Sequence, residues 1–85
     1  PFETDRRHFD SIKVEMPIQR VNELYGEPTY VYTKENAPED YYIIGYAHKR
    51  HKISNKVYIY IKGDAICYVY FNNQEEVEYI FVGGS

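Results

Sequence analysis

At 85 residues the chain makes one domain, residues 1–85, near the size at which a single core suffices without staples. Its 44% hydrophobic and 27% charged residues exclude a disordered chain, and its net charge of −3 excludes the basic footprint of a nucleic-acid binder. The outlier is aromatic content, 18%, carried by eleven Tyr and four Phe with no Trp.

In chain order, Thr4 and Asp5 start a short predicted helix over residues 4–11, with Phe9 and Ile12 on one stripe. Pro17 then suits the first turn of a stronger helix, because its missing N–H costs nothing there. Ile18, Val21, Leu24 and Tyr25 fall on one face of that helix at 3.6-residue spacing. Gly26 ends it in a left-handed conformation, and Pro28 prevents it from resuming.

Strand signals take over from there. "TYVYT" (29–33) is a short strand closed by the acidic turn "KENAPED", and "YYIIGYAH" (41–48) is rich in β-formers. The basic loop "KRHKISNK" leads to a strand at 57–62, and Gly63-Asp64 fits a two-residue hairpin turn in which Gly supplies the positive φ. A strand at 65–72 returns, "NNQEE" turns again, and a strand at 77–82 closes the chain. Helices first and a meander after predict an α+β fold: two short N-terminal helices packed on one face of a three- to four-stranded antiparallel sheet.

Few residues suggest chemistry. His48 and His51 have a metal-ligand spacing but sit in the run His48-Lys49-Arg50-His51-Lys52, whose cations oppose metal binding, and His8 is remote in sequence. That run would attract anionic lipid, although balancing Glu35, Glu39 and Asp40 is its plainer role. Ser11, Ser54 and Ser85 lie in no nucleophile-elbow context, Gly83 and Gly84 belong to a terminus, and Glu75, Glu76 and Glu78 flank a turn and read as solvated. Cys67 sits in an apolar run and reads as a small buried hydrophobe. The expectation is a protein that is not an enzyme, with no cofactor and no metal. No stretch reaches the roughly 18 apolar residues of a membrane span. Because the chain starts at Pro1, a signal peptide or lipid-bearing cysteine is expected upstream if there is one, and only such an anchor would bring the domain to a membrane.

The tyrosines pose the main question. If the helices cover the face carrying Val57, Ile59, Ile61, Cys67, Val69, Phe71, Ile80 and Val82, the opposite face presents Tyr58, Tyr60, Tyr68, Tyr70, Tyr79 and Phe81. Tyrosine offers a large apolar body, a polar tip and little rotamer entropy to lose, so this wall is expected to bind another protein. On that reading Tyr60 and Tyr68 are contact residues whose truncation spares the fold. Two plainer readings are cross-strand aromatic pairs that only stabilise the sheet, at roughly 0.2–1 kcal/mol each, and burial of the face in a homodimer. From a different class, a small-ligand or glycan-binding domain also fits, since tyrosine walls stack on sugar rings.

The run "SIKVEMPIQRVNELYGEPTYVY" resembles the opening of the SmpA/OmlA outer-membrane lipoprotein family and the related β-lactamase-inhibitor-protein-like domains. Ile12, Met16, Val21, Leu24, Gly26 and Pro28 stand at matching places of that signature. Glu15 stands where the family has glycine, Pro17 where it has a Ser/Thr cap, and Tyr25 where it has a second leucine. The family's strand tryptophan is missing, with Tyr42 or Tyr46 nearest its place. The resemblance implies two small helices on an antiparallel sheet, a periplasmic or outer-membrane-associated location in a bacterial cell envelope, and non-enzymatic work such as assembly or enzyme inhibition. In the inhibitor-like relatives the open sheet face grips the partner.

Overall fold

A computed structural model describes residues 1–41 and 51–84. The strand predicted at 41–48 lies outside the described residues apart from Tyr41, as do Tyr42, Tyr46 and His48. The elements run α1 (Phe2–Arg7), α2 (Ile18–Tyr25), β1 (Tyr30–Thr33), β2 (Lys56–Lys62), β3 (Ala65–Phe71) and β4 (Val77–Gly84). The four strands form one antiparallel sheet in the order β1-β2-β3-β4, so the α+β meander is as the sequence predicts.

The first helix starts two residues earlier and stops four residues sooner than its pattern suggests. Asp5 does not cap it: the Asp5 carboxylate instead accepts the Asp64 backbone N–H at 2.9 Å, tying α1 to the β2–β3 turn. Residues 8–12 continue only as tightened turns, with His8, Phe9, Asp10 and Ile12 each donating to the carbonyl three residues back. That coil swings Phe9 and Ile12 under the helices, where both are buried.

The second helix begins after Pro17, which holds extended geometry at the N-cap, one position before the first turn. Ile18 and Val21 are buried, Tyr25 is half-buried, and Leu24, assigned to the same stripe, is exposed. Gly26 ends the helix at φ 71° with its N–H on the Asn22 carbonyl. No atom lies within 4 Å of where a Gly26 side chain would start. Gly26→Ala is therefore expected to lose about 1 kcal/mol through backbone strain alone.

Between the helices, residues 15–18 run along the outer edge of β4. Glu15 N–H reaches the Val77 carbonyl at 2.7 Å, Val77 N–H the Met16 carbonyl at 2.9 Å, and Ile18 N–H the Glu75 carbonyl at 2.9 Å. This pairing covers the start of an edge strand that would otherwise recruit another chain. It also forces Glu15 to φ 76°, the left-handed region that costs a side-chain-bearing residue about 1–2 kcal/mol. Glu15→Gly removes that strain at an entropic cost of about 0.5–1 kcal/mol. Urea melts should thus find it up to about 1.5 kcal/mol more stable, opposite in sign to Gly26→Ala.

Two cores result. Between helices and sheet lie Phe9, Ile12, Ile18 and Val21 against Tyr58, Tyr60, Ala65, Cys67, Val69, Phe71 and Val77. On the far face Val57, Ile59, Ile66, Tyr68 and Tyr70 pack with Tyr41, flanked by Tyr32, Ala37, Ile53 and Phe81.

The tyrosine wall predicted on one face is divided between these cores. The two-residue turn pairs Lys62 with Ala65, so Tyr60 faces Cys67, Tyr58 faces Val69 and Ile59 faces Tyr68. Even positions on β2 therefore share a face with odd positions on β3. Tyr58 and Tyr60 lie beneath the helices, and Val57, Ile59 and Ile61 take the far side. Tyr68, Tyr70, Tyr79 and Phe81 do share the far face, through the pairs Tyr70–Tyr79 and Tyr68–Phe81. The predicted sides of β3 and β4 hold; that of β2 is inverted.

Candidate functional site

Burial corrects the tyrosine surface further. Tyr58, Tyr60, Tyr68 and Tyr70 are all buried, so together they form no tyrosine wall on the surface of the folded monomer. Among the described residues, the large apolar side chains exposed on the far face are Tyr30, Ile61 and Tyr79, at 41%, 43% and 37%, with Phe81 partly exposed. Tyr30 lies directly across β1–β2 from Ile59, one position along the face from Ile61. Tyr30 also stacks on Tyr32, ring centroids 6.1 Å apart and planes 9° from parallel.

Beside Tyr79 the sheet carries an irregularity that places a polar cluster. Phe71 pairs with Val77 but Tyr70 pairs with Tyr79, leaving Glu78 as the extra residue of a β-bulge. A bulge turns its side chain out of strict alternation. Glu78 is thereby half-buried and bonded, not solvated as its turn position suggests. Its carboxylate takes His51 Nε2 at 2.8 Å and the Ser54 hydroxyl at 2.9 and 3.1 Å. The His51 ring stacks on Tyr79, centroids 4.5 Å apart, and meets Tyr70 edge-on at 4.8 Å. Tyr41 completes the cluster: its hydroxyl lies 2.6 Å from that of Tyr70 and 3.3 Å from the His51 carbonyl.

His51, Glu78 and Ser54 resemble a hydrolytic triad in composition only. The carboxylate stands in the middle, so the serine donates to Glu78 and no imidazole accepts its proton. The arrangement works as a strut that ties residues 51–54 to β4. A neighbouring cleft of about 290 Å3 opens beside Tyr41, His51 and Ile53, with Lys34 and Lys52 at its rim. Among the described residues no three His, Cys, Asp or Glu side chains converge to hold a metal ion. Sequence reading missed Glu78 because Val77-Glu78-Tyr79 alternates apolar and polar as a regular strand does, so the bulge leaves no mark in the sequence.

Cys67 is fully buried, and desolvation pushes its thiol well up from the ordinary cysteine value. Desolvation likewise pushes the Tyr60 phenol up, with Tyr58 nearby adding to it. The folded state thus holds both protons more tightly than the unfolded chain does. The stability this contributes is fully present at neutral pH and is lost as pH rises above about 9, where the unfolded groups ionise. The urea midpoint should fall progressively above that pH. A thiol reagent should label Cys67 only at the rate of unfolding.

Comparison with family models, with curated proteins and with solved structures finds no match to this chain.

Proposed function

We propose that this domain is a non-enzymatic protein-binding module of a bacterial cell envelope, similar to the SmpA/OmlA and inhibitor-like domains. The observation that carries the binding reading is the set of exposed apolar side chains on the sheet face away from the helices: Tyr30 on β1, Ile61 on β2 and Tyr79 on β4, with Phe81 partly exposed. Between them on the same face Tyr68 and Tyr70 are packed into the core, so the exposed side chains are flanked by a rigid support. Rigid aromatic anchors over a packed core are what binding hot spots use. The polar strut at His51, Glu78 and Ser54 holds Tyr79 through the imidazole stack.

The family reading is supported by the turn before α2. Glu15 adopts a left-handed φ where the resembled signature has glycine, and Gly26 followed by Pro28 stops the helix as that signature requires. The partner surface is proposed as Tyr79 and Phe81 from the sequence-derived set, joined by Tyr30 and Ile61.

The test is capture of a partner from envelope extract by immobilised wild-type chain, followed by Ile61→Ala and Tyr79→Ala. Both variants should keep their cooperative melts and lose at least about ten-fold in retention, since an anchor truncation costs about 2 kcal/mol. Lys13→Ala, away from this face, should behave as wild type. Retention unchanged in both face variants refutes the assignment. A concentration-dependent dimer that the same variants dissolve would move the surface to self-association.

A further inference from the structure

The helix layer does not extend over β1. Val31 is paired with Tyr58 and lies on the helix side of the sheet, yet it is 46% exposed. Between it and the end of α2 opens a groove of about 620 Å3, lined by Asn22, Gly26, Glu27, Pro28, Val31 and Tyr58. That volume is within the range of specific ligand sites.

Its walls differ in chemistry. Val31 and Pro28, with the small exposed part of Tyr58 beside them, make an apolar floor. The mouth is electronegative. It receives the carbonyl end of α2, which has no basic residue in its last turn to offset the helix dipole. Glu27 stands at the same mouth and, among the described residues, has no ion-pair partner, whereas Glu23 one turn back is paired with Arg20. A floor that accepts methylenes, below a rim that attracts positive charge, complements one common side chain. Arginine lays its stem on apolar surface and keeps its charge at the edge, and its guanidinium, more weakly hydrated than an ammonium, gives up water more readily there.

We propose that this groove seats an arginine side chain of a protein partner. The proposal rests on the reading of the domain as a protein binder, but on a surface separate from Tyr30, Ile61 and Tyr79. It makes Val31, on the floor, and Glu27, at the mouth, recognition residues of one site.

The test uses the full chain, 15N-labelled, titrated at low-millimolar concentration with acetyl-Ala-Arg-Ala-amide and with its neutral citrulline counterpart. The arginine peptide should give saturable amide shifts at Asn22, Gly26, Glu27 and Val31 that weaken as salt is raised. Glu27→Gln should raise the dissociation constant about five-fold, as expected for one exposed ion pair. Val31→Ser should raise it about three-fold through lost apolar contact. Both positions are exposed, and an unchanged melting temperature confirms that each variant folds. Equal shifts with the citrulline peptide, or no saturable shift at the groove residues, would overturn the proposal. Either failure leaves the far-face reading standing, because that reading is scored on Ile61 and Tyr79 variants with the captured partner.

Discussion

Tyr60→Ala is expected to lower the unfolding free energy by about 3–5 kcal/mol, the loss of a large core aromatic. Tyr60 is 6% exposed beneath the helices. Its ring lies 5.7 Å from that of Tyr25, 6.1 Å from Tyr58 and 6.2 Å from Phe9. Its hydroxyl donates to the Gly26 carbonyl at 2.9 Å, fastening the end of α2 to β2. Truncation removes the ring that α2 and the coil after α1 share, so the cavity cannot close by moving one element. Tyr60→Phe keeps the ring and loses only that bond, at about 0.5–1.5 kcal/mol. Denaturant melts of the two variants separate packing from hydrogen bonding, and a Tyr60→Ala chain as stable as wild type would place Tyr60 outside the core.

Tyr68→Ala should cost as much from the other side of the sheet. Tyr68 is fully buried on β3, opposite Ile59 and Phe81, whose ring centroid lies 6.2 Å away. β3 is buried along its whole length, so a void there is bounded by strands that cannot collapse without losing ladder bonds. The loss is again about 3–5 kcal/mol. Tyr79→Ala, across from Tyr70 and over a third exposed, should cost about 1 kcal/mol or less. That contrast within one face distinguishes a supporting tyrosine from a presenting one.

Much of the fold was legible. Gly26 and Pro28 punctuated α2, Gly63-Asp64 set the hairpin, and alternation along β3 correctly turned Cys67, Val69 and Phe71 toward the helices. The error at β2 was one of parity: a two-residue turn joins residues of opposite parity, and Tyr58 and Tyr60 look alike from either side. Their phenols tolerate burial because aromatic neighbours and, for Tyr60, a carbonyl receive them. The candidate site was less legible. Tyr79 and Phe81 could be placed by alternation, whereas exposure of Tyr30 and Ile61 depends on where the covering layers stop. The His51, Ser54 and Glu78 cluster joins positions more than twenty residues apart through a bulge, and no local pattern encodes that meeting.

Hydroxyl-radical footprinting of the free chain and of the chain with its captured partner tests the central claim most directly. In the free chain Tyr30, Ile61 and Tyr79 should be labelled while Tyr60 and Tyr68 are protected, following their exposures. Partner binding should then suppress labelling at Tyr30, Ile61 and Tyr79. Labelling of Tyr68 as strong as that of Tyr79 in the folded chain, or unchanged labelling of the three exposed residues in the complex, would contradict the account.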